Sequence, residues 1–473
     1  MRTCRSAAGL PNVLDLMVWA PLVFGSLLAF PLYAIAIVVT GRARLAWIAV
    51  LLYQAANWYQ QDYFAPQAVA MIVFTTVVAT LLWQLRAAPL PRRNGSYVTN
   101  VFAALTRTPG RVPGFGPGRT LAIGATLIML LAANTVTHQI TPLLMIIALS
   151  VFALAGATRY RTLWIAAGLI FTVWFSYGAT DYWLGHLGML LDELGAVSDS
   201  VDKGVSQRLS GDPLYKNMQY LRMAASAGFV LLGVFGWYIA RRMNKRAQWV
   251  AAALCGAPAL LAGMQSYGGE MIIRAFLFMS PVVAPLAALG LAALWSRVPA
   301  RVRVGRIGAV VLVVLTTLVG LVETTNRGLN TAFEASTRAE VVLSREFMTA
   351  VPPNTTVMTF NHAPHTIGIR RVLDPMGPRI GYIDSYPCLN DLAACALDRE
   401  PDFVYITHQG MELIALQHGR PLDAVRKEIN QIIERGDYVV DVDTDSMLIL
   451  RRSDADKLVI PSASLFSSDR SLR

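Results

Sequence analysis

"NWYQQDYFAPQAVAMIVFTTVVATLLWQL", residues 57–85, changes character at Pro66. Before it, Gln60, Gln61 and Asp62 stand among Trp58, Tyr59, Tyr63 and Phe64; after it, residues 67–85 carry no charge. About 20 apolar helical residues cross a hydrocarbon core of about 30 Å. The run after Pro66 is of that length. It is too long and too uniformly apolar for a lipid-facing barrel strand, whose residues alternate, so in a bilayer it must be a helix.

Such runs recur: 16–40, 45–57 (short), 67–85, 120–136, 143–157 (short), 162–179, 218–240, 249–263, 275–295 and 307–323. With a mean hydropathy of +0.46 and 15% charged residues over 473 residues, the chain reads as an α-helical polytopic membrane protein. It has about ten membrane helices, some of them short or broken.

The net charge of +11 is sorted by loop. Alternate loops hold Arg42 and Arg44; Arg86, Arg92, Arg93, Arg107, Arg111 and Arg119; Arg159 and Arg161; Arg241, Arg242, Lys245 and Arg246; and Arg297, Arg301, Arg303 and Arg306, with no Asp or Glu among them. The intervening loops hold Asp62, then Asp181, Asp192, Glu193, Asp199, Asp202 and Asp212, then Glu270. By the positive-inside rule the basic loops are cytoplasmic and the acidic ones external. This expectation places the chain in the cell membrane with its C-terminal region extracytoplasmic. Charge spread over membrane-flanking loops forms no basic face with interleaved aromatics, which excludes a nucleic-acid partner. The same alternation puts the N-terminus outside. Residues 1–15 show no signal-peptide pattern, so one or more helices are expected upstream of Met1.

Near Asn326 the sequence turns mixed. "TRAEVVLSREFMTAVPP" (337–353) reads as a helix stopped by Pro352 and Pro353, "NTTVMTF" (354–360) and "PDFVYITH" (401–408) as strands, "PLDAVRKEINQIIERGD" (421–437) as a helix ended by Gly436, and "YVVDVDTDSMLILRR" (438–452) as a hairpin turning at Asp443 to Ser446. The division is therefore 1–325 membrane domain, 326–453 extracytoplasmic α/β domain and 454–473 disordered tail, rich in Ser, Asp and Arg. Cys388 and Cys395 either form a disulfide in that domain or are buried thiols. Residues 180–217 suggest an amphipathic helix on the membrane surface, with Trp183, Leu184, Leu187, Leu190, Leu191 and Leu194 near helical spacing.

Three external junctions concentrate polar residues. One is Gln60, Gln61 and Asp62; the second is "VTHQITP" (136–142), with His138 and Gln139; the third is "QSYGGEMIIR" (265–274), with Tyr267, Glu270 and Arg274. Polar groups at such depth are costly, so they face protein or a water-filled interior, and irregular backbone there is tolerated where it lines a cavity. One external cavity walled by three broken helices is the sharper reading. The plainer one is a solvated Asp62, an interfacial His138, an (i, i+4) ion pair of Glu270 and Arg274, and an aromatic belt of Trp58, Tyr59, Tyr63 and Tyr267. "NHAPH" (361–365) has a metal-like His362–His365 spacing without a further ligand nearby, so no metal site is assigned.

"NWYQQDYFAPQA", "THQITPLL" and "YGGEMIIRAFLFMSP", in that order and followed by an α/β tail, resemble a group of actinobacterial polytopic membrane proteins related to the GT-C superfamily of glycosyltransferases. The resemblance covers about residues 17–360. It implies transfer of a sugar from a polyprenyl-phosphate donor to a lipid-linked or cell-wall glycan acceptor on the external face. The acid that such enzymes carry in their first external loop would fall upstream of Met1. In its place Asp62 or Glu270 is the candidate catalytic base. Arg274 and His138 would neutralise the leaving phosphate, Trp58, Tyr59, Tyr63 and Tyr267 would give flat faces to sugar or prenyl chain, and Gln61 and Gln139 complete the substrate-binding set. Sugar, acceptor and the need for a divalent metal stay open, with no cofactor assigned. Two other readings of the same features are a transporter or flippase of lipid-linked glycans and a non-catalytic assembly subunit. Against the transporter stands the lack of an internal inverted repeat.

Overall fold

The computed structural model describes residues 19–58, 62–85, 116–180, 209, 211–241, 246–262, 271–300, 306–352, 355–359, 381–383 and 391–466. They fall into two compact units, one from Met1–Gln207 with Arg222–Glu323, the other from Arg208–Leu221 with Thr324–Arg473.

The first unit is helical. In chain order its helices are α1 (Ala20–Thr40), α2 (Ala43–Ala56), α3 (Pro66–Leu85), α4 (Pro117–Thr137), α5 (Thr141–Leu154), α6 (Leu163–Val173, continued by a π-helical turn over Trp174–Gly178), α7 (Pro213–Ala240, entering from the second unit), α8 (Arg246–Ala262), α9 (Met271–Ser296) and α10 (Arg306–Glu334, leaving into the second unit). Each expected span is a helix, most with ends moved by a few residues, while the last, expected at 307–323, runs on to Glu334. By length and composition α1, α3, α4, α7, α9 and α10 can cross a membrane, while α2, α5, α6 and α8 are shorter apolar helices. The chain is thus a polytopic α-helical membrane protein with a small C-terminal α/β domain.

Local sequence sets these boundaries. Proline, whose fixed φ suits a first turn and whose missing N–H is not needed there, stands at the start of α1, α4 and α5 as Pro21, Pro117 and Pro142, and α3 begins at Pro66. Gly41 ends α1 with φ 73°, a left-handed cap that glycine adopts without strain. Within the spans, hydroxyls are satisfied by their own helix: Thr75 donates to the Met71 carbonyl at 2.8 Å and Thr135 to Leu131 at 2.9 Å. This is how a lone polar group is tolerated in an apolar surround.

The core of this unit joins Ile35, Ala46, Tyr53, Val77, Leu81, Leu144, Phe152 and Phe278. α7 and α9 meet backbone to backbone: a Cβ on Gly236 would lie 1.8 Å from the Leu286 carbonyl oxygen, and one on Gly290 would lie 2.5 Å from that of Leu232. Small residues let membrane helices approach this closely. On α10, Val310, Val313, Leu315, Leu318 and Leu321 are exposed.

The second unit contains α11 (Arg338–Ala350), β1 (Thr356–Thr359), β2 (Gly381–Ile383), α12 (Leu392–Arg399), β3 (Phe403–Thr407), α13 (His408–His418), α14 (Leu422–Glu434), β4 (Tyr438–Asp443) and β5 (Met447–Arg452). The sheet order is β2-β1-β3-β5-β4. β1 runs parallel to β2 and β3, and the β4–β5 hairpin joins β3 antiparallel, with Tyr405 opposite Ile449. Alternation along β3 feeds two cores. Val404 and Ile406 pack with α12, α13 and α14, while Phe403 and Tyr405 pack with α11.

Three features depart from the sequence reading. α13 was not anticipated: Thr407 caps it by accepting the Gly410 N–H at 3.0 Å, and Gly419 closes it at φ 68°. Residues 454–466 do not behave as a disordered tail, because Leu458 and Ile460 are buried against α11 and β5 and Ser462 donates to Glu346 at 2.6 Å. A short apolar run within a polar tail carries no period, yet it supplies enough buried surface to dock. Residues 211–215 also join this unit, with the Asp212 N–H on the Leu416 carbonyl at 3.0 Å and Tyr215 against Phe333. Cys395 is disulfide-bonded; Cys388, like the expected surface helix from 181 onward, lies outside the described residues.

Candidate functional site

Three helices of the membrane unit begin at one point. Gln67 is the second residue of α3, Thr141 is the first of α5, and Arg274 lies in the first turn of α9. The Arg274 guanidinium donates to Gln67 Oε1 at 2.8 Å, and the same nitrogen is 3.4 Å from His138 Nε2. His138 ends α4, and its Nδ1 is 2.8 Å from the Thr141 hydroxyl. Residues 136 apart in the chain are thereby held in a hydrogen-bonded row.

The tautomer follows from the partners. A guanidinium only donates, so Nε2 accepts from Arg274 and Nδ1–H donates to Thr141 Oγ1. The backbone N–H of Thr141 also points at Nδ1, at 3.3 Å. That contact would suit the opposite tautomer, and the shorter hydroxyl contact together with Arg274 outweighs it. Burial, then the Arg274 charge, lowers the His138 pKa from 6.5 to about 4. At neutral pH the row therefore carries a fixed cation beside a neutral imidazole.

The 57–67 junction contributes a second group. Asp62 is 9% exposed, and its Oδ2 is 3.4 Å from the Asn57 amide nitrogen. The Trp58 indole N–H donates to Ser226 Oγ at 2.7 Å, and the buried Arg222 guanidinium lies 5.5 Å from the centre of the Trp58 ring, within cation–π range. Tyr63 and Gln139 are exposed. Tyr59, Gln61, Tyr267 and Glu270 lie outside the described residues, as do His362 and His365. Among the described residues no group of three His, Cys, Asp or Glu side chains is placed to hold a metal.

The structure brings His138 and Arg274 together and places Asp62 and Trp58 on the junction leading into α3. Gln67, Thr141, Asn57, Arg222 and Ser226 were not singled out from the sequence. Gln67, a polar residue directly after a helix-starting proline in an apolar run, offered a signal; Ser226 and Arg222 offered none, because they meet Trp58 across 168 and 164 positions.

No protein-family model matches the chain, and no curated protein matches it. Among solved structures it is similar to the oligosaccharyltransferase of Archaeoglobus fulgidus, a crystal structure in which an acceptor peptide with an NVT sequon is tethered by a disulfide bond. The two share 10% identity at a TM-score of 0.43, with 96% of this chain covered. This chain spans 63% of the length of that one. A likeness this distant identifies neither a family nor an activity.

Proposed function

We propose that the chain is a membrane glycosyltransferase of the GT-C type, moving a sugar from a polyprenyl-phosphate donor to a lipid-linked or cell-wall glycan on the external face of the cell membrane. The observation that carries this reading is the meeting of three helix N-termini with Arg274. Helix N-termini favour anions through their unpaired N–H groups and dipoles. A guanidinium adds a fork that fits phosphate oxygens, and His138 beside it is neutral. The order of motifs in the sequence and the sorting of Lys and Arg between loops support the same reading and orientation, with the α/β domain extracytoplasmic.

In this mechanism the acceptor hydroxyl oxygen attacks the anomeric carbon. Asp62 takes the hydroxyl proton, with Glu270 as the other candidate base. The anomeric C–O bond breaks with its electron pair passing to the phosphate, and Arg274 stabilises the charge that develops there. Trp58 and Tyr63 offer flat faces to sugar or prenyl chain.

The test is a transfer assay with purified chain in liposomes, using labelled polyprenyl-phosphate sugar. Transfer that falls by about two orders of magnitude or more in Asp62→Asn is the expected outcome. Labelled lipid that crosses the bilayer with no sugar transferred would overturn the enzyme and establish a flippase.

A further inference from the structure

One turn before His138, Asn134 is 1% exposed, and neither its carboxamide oxygen nor its nitrogen has a hydrogen-bond partner among the described residues. It belongs to the inward face of α4, with Leu127, Leu131 and Thr135, so lipid does not hide it. Thr135 beside it is satisfied by the Leu131 carbonyl. Asn134 is not, although its own backbone carbonyl accepts the His138 N–H at 3.3 Å. Gln67 is in a related state. Arg274 takes its Oε1, and its Nε2 is buried without a partner among the described residues.

Buried polar groups are nearly always paired, and an orphan calls for an explanation. A leucine at 134 would extend the Leu127–Leu131 stripe and remove the penalty. The chain instead keeps a group that both donates and accepts, one helical turn from the His138–Arg274–Gln67 row. A phosphate offers acceptors almost alone and would leave the Asn134 oxygen unpaired. A sugar ring offers hydroxyls that donate and accept. We infer that Asn134, with the Gln67 amide that the same row holds through Arg274, forms the sugar-hydroxyl subsite of the donor site and sets which sugar is accepted. This rests on the glycosyltransferase reading above and deepens it.

The experiment measures binding of farnesyl phosphate, bare or esterified to a single pentose or hexose, to the full chain in detergent. Wild type binds the glycosylated lipid more tightly than the bare one. Asn134→Leu loses about tenfold for the glycosylated lipid, stays within about twofold for the bare one, and melts no lower than wild type. Asn134→Ser, smaller and still polar, gives the same loss should the leucine variant fail to fold. If both variants keep the wild-type preference, or melt lower with that preference intact, the inference is overturned while the donor reading stands. If wild type binds neither lipid, both fall.

Discussion

Glu340 in the α/β domain and Asn134 in the membrane unit are each 1% exposed, and the chain uses them in opposite ways. The Glu340 carboxylate is fully employed. It accepts the Thr337 N–H at 2.7 Å in a capping box for α11 and the Gln409 N–H at 3.1 Å in the first turn of α13. Two helix starts share one anion from the protein itself. In the membrane unit three helix starts converge on Gln67, Thr141 and Arg274, none of them a carboxylate, and Asn134 nearby has no partner among the described residues. In the α/β domain a buried carboxylate joins two helix starts, whereas in the membrane unit the proposed donor site would receive its anion and polar groups from outside. On the proposed reading, polar burial serves the fold in the α/β domain and a ligand in the membrane unit.

The contrast can be broken by substitution. Arg274→Gln removes the fixed cation and is expected to lower sugar transfer in liposomes by about 10²–10³-fold, with little change in melting temperature. A variant that instead unfolds would make Arg274 a structural residue like Glu340. Glu340→Ala should destabilise the α/β domain by about 3 kcal/mol, since two backbone donors lose their acceptor; chemical denaturation followed by near-ultraviolet circular dichroism reads the loss. Gly236→Ala probes packing alone. With the Leu286 carbonyl 1.8 Å from the new Cβ, a loss of about 1–3 kcal/mol is expected as α7 and α9 move apart, seen as a lower melting temperature in detergent.

The smallest effect concerns pH. With the folded pKa of His138 lowered to about 4 from 6.5, the unfolded chain binds the extra proton first as pH falls. Stability is therefore held above pH 6.5 and lost progressively toward pH 4. Melting temperature followed over that range should fall in wild type, and His138→Gln should flatten the slope by about 1–2 kcal/mol. An unchanged slope would mean that His138 titrates as a solvated group.

The membrane helices were legible because their signals are local. Uncharged runs of spanning length, and prolines such as Pro66 and Pro142 that suit a first turn, mark where spans lie. The sheet was legible for a similar reason, through the β-branched and aromatic run "FVYIT" (403–407) and the polar turn before Met447. α13 escaped because its apolar residues, Met411, Leu413, Ile414 and Leu416, follow a strand with no break between them, and only the cap at Thr407 marks the change. The site was half legible. Breaks at Asp62, His138 and Arg274 stand out as charges or imidazole in apolar text, whereas Asn134 and Gln67 matter through partners they have or lack across the fold, which no spacing in the chain encodes.

The most direct test of the central claim is a cryo-electron microscopy structure of the full chain in a nanodisc with a glycosylated polyprenyl phosphate. The phosphate should lie about 3 Å from the Arg274 guanidinium, at the meeting point of α3, α5 and α9, with the sugar toward Asn134. Lipid phosphate bound elsewhere, with Arg274 and Asn134 still packed as in the ligand-free chain, would contradict it.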